Sequence, residues 1–302
     1  MTMPLQACSA SPDDLAALLK LACDFRWELD TALRFSALAG PLIERGAINP
    51  DSLLKQRLSN WPAHLLRESS PTEIALAALL ARQAFRDLEC LFELTDHSRH
   101  WFSLSGVPRH NHARQFGGFQ GIAIDISQKR EEEERYRHLA YHDTLTGLPN
   151  RRLFTDRLEH ALRQARREGS RLALMMIDLD HFKTINDHFG HAAGDRALMT
   201  LANTLRMSLR QSDTVARLGG DEFAALLPRV GSDQDVLRVA RKLQEALQSA
   251  GPFQQSASIG IALYPDHGIE VTKLLMMADQ AMYVVKRKGG GSERVAPAKE
   301  VC

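Results

Sequence analysis

A run of charge near the middle of the chain, Gln128 to Arg137, constrains the fold more than any other stretch. It contains Glu131, Glu132, Glu133 and Glu134, holds no Pro or Gly, and sets Lys129–Glu133, Glu131–Arg135 and Glu133–Arg137 at i, i+4 spacing. That pattern predicts a solvated helix linking two domains, and 302 residues are enough for two ordinary ones. The expected division is residues 1–127, a charged linker helix at 128–140, and residues 141–302. Ile126, Tyr136, Leu139 and Ala140 give only a broken apolar seam, so any coiled coil here is short.

Beyond the linker, helix and strand patterns alternate. Phe154, Leu158, Leu162 and Ala165 share one helical face, and Leu172 to Ile177 is an apolar run of strand length that ends at Asp178. Leu198, Leu201, Leu205 and Leu209 mark another helix. Val215–Leu218 and Phe223–Leu227 flank Gly219-Gly220-Asp221-Glu222 and read as a hairpin. Val236–Leu247 is helical, Ala257–Tyr264 is strand-like, and Leu274–Lys286 is a last helix. The order helix, then βααββαβα, predicts an α+β domain with a mainly antiparallel sheet and helices packed on one face.

Before the linker the signal is weaker. Asp24 to Glu28 and Leu33 to Phe35 are short strand-like runs, Pro71 to Phe85 carries an Ala- and Leu-rich helix, and Trp101–Leu104 and Phe119–Ile126 read as strands. This predicts a small α+β domain.

Composition narrows the classes. A net charge of +1 offers no broad basic field for nucleic acid, and 44% hydrophobic with 25% charged residues is ordinary globular usage. No apolar stretch approaches a membrane span, Ile74–Leu80 being the longest, and the N-terminus lacks a basic stretch ahead of an apolar one. Cys8, Cys23, Cys90 and Cys302 show no paired spacing, which predicts reduced thiols and a cytoplasmic location.

Two carboxylates stand out chemically. Asp178 ends a buried strand and Asp221 tips the hairpin. If the strands are neighbours, both reach one sheet edge, where Mg²⁺ takes a few protein oxygens plus substrate phosphates. Gly219 and Gly220 would let a phosphate approach the backbone. Taken singly, an Asp at a strand end is more often a cap or a surface residue.

Read together, five segments say more. They are His142-Asp143-Thr144-Leu145-Thr146-Gly147-Leu148-Pro149-Asn150-Arg151-Arg152, Asp178 to Asp187, Phe189-Gly190-His191 with Gly194-Asp195, Arg217 to Phe223, and Ser258 to Ala262 with Ala278-Asp279. The set resembles the GGDEF family of diguanylate cyclases, from about Tyr141 to Val295. The resemblance implies a nucleotidyl-cyclase-like sheet covered by helices, which condenses two GTP into cyclic di-GMP and two pyrophosphates. It implies two Mg²⁺ or Mn²⁺ per site on Asp178, Asp221 and the Leu179 carbonyl, with Asp221 also assisting deprotonation of the 3′-hydroxyl. Glu222 and Lys183 stand beside these as catalytic positions, Lys183 facing the triphosphate. Phe182, Asn186, Asp195, Gly219, Gly220 and Lys286 fall at substrate-binding positions, with Asn186 and Asp195 on the guanine edge.

Arg210-Gln211-Ser212-Asp213 matches the family's R-x-x-D product-inhibition site, so Arg210 and Asp213 are expected to bind cyclic di-GMP. Because one domain holds one GTP, a homodimer is implied. One departure is clear: the family commonly places an Arg four positions after the Lys286 equivalent, and this chain has Gly290 inside Gly289-Gly290-Gly291. Weakened GTP affinity is expected there, with a loose C-terminal tail as the other reading. Glu245-Ala246-Leu247 spells the name motif of the opposing phosphodiesterases but sits in an amphipathic helix, with no room for that domain.

Trp27-Glu28 with Arg34-Phe35, Trp101–Gly106, Gly118–Ile122 and Asp125-Ile126-Ser127 resemble a PAS sensor, an antiparallel sheet with flanking helices. Its ligand is unknown from sequence, and His97, His100, His110 and His112 read as surface or loop residues rather than haem ligands. Two other readings stay open: a catalytically silent receptor for GTP or cyclic di-GMP that signals through a partner, and a purely structural dimerisation module.

Overall fold

The charged run is helical from Ser127 to Tyr141, and the chain divides within that helix into two units, Met1–Glu134 and Arg135–Cys302. The computed structural model describes residues 21–54, 70–250 and 255–297. Cys8 and Cys302 lie outside them, and Cys23 and Cys90 are buried.

The first unit is built on a five-stranded antiparallel sheet of order β2-β1-β5-β4-β3. Its strands are β1 (Phe25–Leu29), β2 (Phe35–Ala39), β3 (Phe85–Glu93), β4 (Arg99–His110) and β5 (Phe116–Asp125). Helices α1 (Pro41–Glu44), α2 (Pro50–Leu53) and α3 (Ser70–Leu80) come between β2 and β3. Alternation along β1 turns Phe25, Trp27 and Leu29 inward. There they meet Phe35, Phe85, Phe92, Phe102 and Phe119, together with Ile48 and Leu79. Trp27 stacks on Phe85 at 5.9 Å and donates its indole N–H to the Ile122 carbonyl at 3.0 Å. Its ring occupies the space over Gly106 and Gly121, where any Cβ would collide with it. Strand β3 departs from the expectation of a helix reaching Phe85. The helix ends at Leu80, and Arg82 takes a positive φ of 59° without a Gly to announce the turn. His97, His110 and His112 are exposed, and His100 pairs with Asp125 at 2.7 Å.

No residue of α4 (Ser127–Tyr141) is buried, as its charge demands. The second unit follows with α5 (Arg151–Glu168), β6 (Leu172–Leu179), α6 (Phe182–Phe189), α7 (His191–Ser208), β7 (Thr214–Gly219) and β8 (Glu222–Pro228). Then come α8 (Asp233–Ser249), β9 (Ala257–Tyr264), α9 (Val271–Arg287) and β10 (Glu293–Val295). The sheet order is β10-β9-β6-β8-β7, antiparallel except where β10 runs parallel to β9.

Helices cover both faces of this sheet, not one. Met175, Ile177 and Phe223 pack with Leu201, Leu205, Leu243 and Leu247 of α7 and α8. Leu174, Met176 and Leu226 pack with Phe154, Leu158, Leu274 and Met282 of α5 and α9. All eight residues of β6 are therefore buried, which is why its apolar run is continuous rather than alternating. The EAL triplet lies within α8, as its amphipathic pattern required.

Candidate active site

The hairpin and the buried strand meet as neighbours. β6 pairs with β8 so that Asp178 lies opposite Glu222, and the Leu179 N–H donates to the Asp221 carbonyl at 3.3 Å. On its other side Asp178 faces Ser258 of β9. The Asp178 carboxylate is thus placed at the end of three strands, 3% exposed. Its Oδ2 accepts from the Lys286 ammonium of α9 at 2.6 Å, while its Oδ1 is buried and has no hydrogen-bond partner.

Burial pushes the Asp178 carboxyl up to about 6; Lys286 opposes this, and the charges of Asp221 and Asp180 add to it. A buried, unpartnered carboxylate oxygen is costly unless something positive reaches it. Among the described residues no three His, Cys, Asp or Glu side chains gather at one point. What the edge does bring together is the mutually interacting pair Asp178 and Asp221 beside the backbone of Leu179, and such a sparse oxygen set suits Mg²⁺ because that ion keeps its other positions for water and phosphate oxygens. The residues present fit the ion.

The hairpin tip is shaped by Gly219 at φ 149° and Gly220 at φ 51°, with open space around both. It is fixed from behind by Arg217. Two guanidinium N–H groups of Arg217 donate to the Gly220 carbonyl at 2.9 and 2.8 Å, and Nη1 donates to both oxygens of Asp143 at 3.1 Å. Burial works against the Asp143 charge, yet hydrogen bonds from Thr146 and Arg217 hold its carboxyl below the usual range. Arg151 adds a contact to the Leu218 carbonyl and one to Glu222 at 3.3 Å. Asp143, Arg151 and Arg217 belong to the sequence motifs, but nothing local assigns them this role: the Arg151–Leu218, Arg151–Glu222 and Arg217–Asp143 contacts span 67 to 74 residues.

The remaining candidates sit on α6 and α7. Lys183 is exposed on the first turn of α6, Phe182 packs partly into the core, and Asn186 places its Oδ1 where a Cβ on Gly194 would stand. Asp195, the next residue, is exposed. Arg210 and Asp213 are not part of this cluster. They form a turn in which the Arg210 N–H donates to Asp213 Oδ2 at 2.9 Å, at the far end of β7 from Gly219. A cleft of about 360 Å³ opens there, lined also by Arg229, Arg238 and Lys242.

Gly290 is not in a loose tail. Gly289, Gly290 and Gly291 take φ values of 109°, 76° and 65°, the Gly291 N–H donates to Asp180 at 2.7 Å, and β10 follows at once.

Residues 140–292 match the family described as diguanylate cyclase, GGDEF domain. The chain belongs to that family. Over 173 residues it is 47% identical to diguanylate cyclase TpbB of Pseudomonas aeruginosa, covering 55% of this chain and 40% of that protein. Over 158 residues it is 46% identical to the bifunctional diguanylate cyclase/cyclic di-GMP phosphodiesterase MucR of the same organism, 50% of this chain and 23% of that one. The chain thus spans less than half the length of these curated relatives. The solved GGDEF domain of TpbB is 48% identical and covers 52% of this chain and 94% of its own, with a TM-score of 0.50. The coiled coil and GGDEF domain of DgcB from Caulobacter crescentus, in complex with c-di-GMP, is 29% identical over 57% of this chain and 93% of its own, also at 0.50. GGDEF identity therefore rests on the half of the chain that carries Asp178 and the hairpin. Among the described residues no helix is long and apolar enough to cross a membrane.

Proposed function

We propose that the second unit is a diguanylate cyclase that condenses two GTP molecules into cyclic di-GMP. The observation that carries this reading is the buried Asp178 carboxylate with one oxygen unpartnered, set beside the Gly219–Glu222 hairpin in a GGDEF domain. Asp178, Asp221 and the Leu179 carbonyl would hold Mg²⁺ or Mn²⁺, two ions per site, which when bound offset the charge of the triphosphate. Lys286 holds Asp178 Oδ2 and so keeps Oδ1 free for that use. Gly219 and Gly220 leave room for phosphate at the hairpin backbone.

Asn186 and Asp195 read the guanine edge, where an amide serves both donor and acceptor and a carboxylate accepts from N1–H and N2–H. Phe182 lines the base end, and Lys183 offsets charge that builds on the transferring phosphoryl group. Asp221 takes the proton of the 3′-hydroxyl as its oxygen bonds to the α-phosphorus of the other GTP; the bond to the β-phosphate oxygen breaks and pyrophosphate leaves. Glu222, tied to Arg151, supports the same edge. Two such steps close the ring, and they require two domains face to face, so a homodimer is part of the mechanism.

Cyclic di-GMP at Arg210 and Asp213 would hold the domains apart. Their cleft carries Arg229, Arg238 and Lys242 against the single further carboxylate of Asp235, a cationic excess that suits a dianionic product. The five-stranded antiparallel sheet of the first unit, with helices between its second and third strands, supports a PAS-like sensor that acts through the linker helix. Purified protein stripped of nucleotide, given GTP and Mg²⁺, is expected to yield cyclic di-GMP, and Asp221→Ala none. Equal yield from both would remove Asp221 from the chemistry, and no product from wild type that still binds GTP would make the protein a receptor.

A further inference from the structure

Asp180 stands two residues beyond Asp178 and gathers three hydrogen bonds from distant segments. Ser256 Oγ donates to its Oδ2 at 2.8 Å, Ser258 Oγ to its Oδ1 at 2.6 Å, and the Gly291 N–H to Oδ2 at 2.7 Å. Its own N–H donates to the Ser256 carbonyl at 3.0 Å. One carboxylate therefore joins the exit of β6, the entry of β9 and the glycine segment that follows α9.

That segment begins at the end of the helix bearing Lys286. The N–H groups of Lys288 and Gly290 return to the Val285 carbonyl at 2.9 and 3.2 Å, and the Gly289 N–H to the Lys286 carbonyl at 3.1 Å. The Ile259 N–H then donates to the Ser292 carbonyl at 3.0 Å, which starts the pairing of β10 with β9. Gly290 sits directly over Asp180: a Cβ there would stand 2.6 Å from the carboxylate, on a backbone with φ of 76° that side chains rarely adopt.

We infer that Asp180 is a positioning residue that clasps the glycine segment onto the strand carrying Asp178, thereby fixing Lys286, and that Gly290 is required by this clasp rather than being a lost arginine. The inference rests on the cyclase reading of the same site. It runs against the simplest expectation from the family pattern, in which an Arg at this position would strengthen triphosphate binding. Here the added side chain would displace the Gly291 N–H from Asp180 and move the end of α9, and with it the Lys286 ammonium and the Asp178 carboxylate it holds, so that the triphosphate is held less well before any step of the reaction.

The test is steady-state cyclase kinetics of the full chain with Mg²⁺ for wild type, Gly290→Arg, Gly290→Ala, Asp180→Ala and Asp180→Asn. Amide hydrogen exchange at Gly291 and thermal melting are followed in parallel. Gly290→Arg is expected to raise KM for GTP by about tenfold, with a smaller change in kcat, and to deprotect the Gly291 amide while the protein still melts cooperatively. Gly290→Ala shifts the same way by less. Asp180→Asn keeps an acceptor for Gly291 and Ser256 and can donate to Ser258, so it retains most of what Asp180→Ala loses. If Asp180→Ala fails to fold, the two Gly290 variants decide the question.

A lower KM in Gly290→Arg, or Asp180→Asn as damaging as Asp180→Ala, overturns the inference and leaves the cyclase standing. Wild type that yields no product overturns the cyclase reading first, and the inference with it, because no triphosphate is left to position.

Discussion

Asp178 is a carboxyl in two conflicting situations, with an ammonium at one oxygen and nothing at the other. Burial dominates, and its folded value of about 6 lies above the ordinary 3.8. A group raised in this sense stabilises the fold fully below its unfolded value, and that contribution is lost as pH rises through about 6. Without metal, Asp178→Asn should therefore gain stability relative to wild type as pH climbs from about 4 to about 7, read as the difference between their melting midpoints. Millimolar Mg²⁺ should stabilise the wild type toward the upper end of that range and leave the variant unmoved. A difference that stays flat with pH would mean that Lys286 neutralises the carboxylate completely. Asp143 behaves in the opposite way: hydrogen bonds from Thr146 and Arg217 lower its value, so its contribution is lost as pH falls.

At the scale of elements, each sheet is organised by one strand with unusual neighbours. β6 lies between β8 and β9 and is buried along its whole length, so the Asp178 carboxylate near its end inherits the rigidity of the core. In the first unit, β4 and β5 supply Gly106 and Gly121 beneath the Trp27 ring. That indole is 1% exposed and fills the middle of an aromatic core. Gly121→Val should force the ring out of place, and overpacking of this kind costs about 1–3 kcal/mol, measurable as an earlier transition in chemical denaturation. An unchanged midpoint would show that the sheet yields more easily than close packing implies. The linker helix shows the reverse arrangement: it buries nothing and holds itself by spaced pairs such as Lys129–Glu133 at 3.9 Å.

At the scale of the whole molecule, the proposed chemistry needs two GTP sites to face each other, and one domain supplies only one. Mixing equal amounts of wild type and Asp221→Ala should lower the activity of the wild-type share to about half once subunits exchange, because mixed pairs lack one attacking group. Activity that simply follows the amount of wild type would show that a single domain completes both steps. Tyr136 and Leu139 of the linker are exposed, 68% and 43%, and give a short apolar seam on an otherwise charged helix. That seam is the feature of the linker with which a second copy could pair.

By itself, the sequence determined the division at the charged run, the order of helices and strands in the second half, and the strand that ends at Asp178. These are local properties, written in periodicity and in the distance between polar and apolar residues. Tertiary structure alone decided that helices cover both faces of the second sheet, that β3 begins at Phe85, and that the glycines after α9 form a docked segment leading into β10. It also decided the partners of Arg217 and Asp180, whose hydrogen bonds join residues 74 and 111 positions apart. No periodic signal spans such distances. A side chain of this kind reads as an ordinary surface charge until the fold brings its partner within about 3 Å.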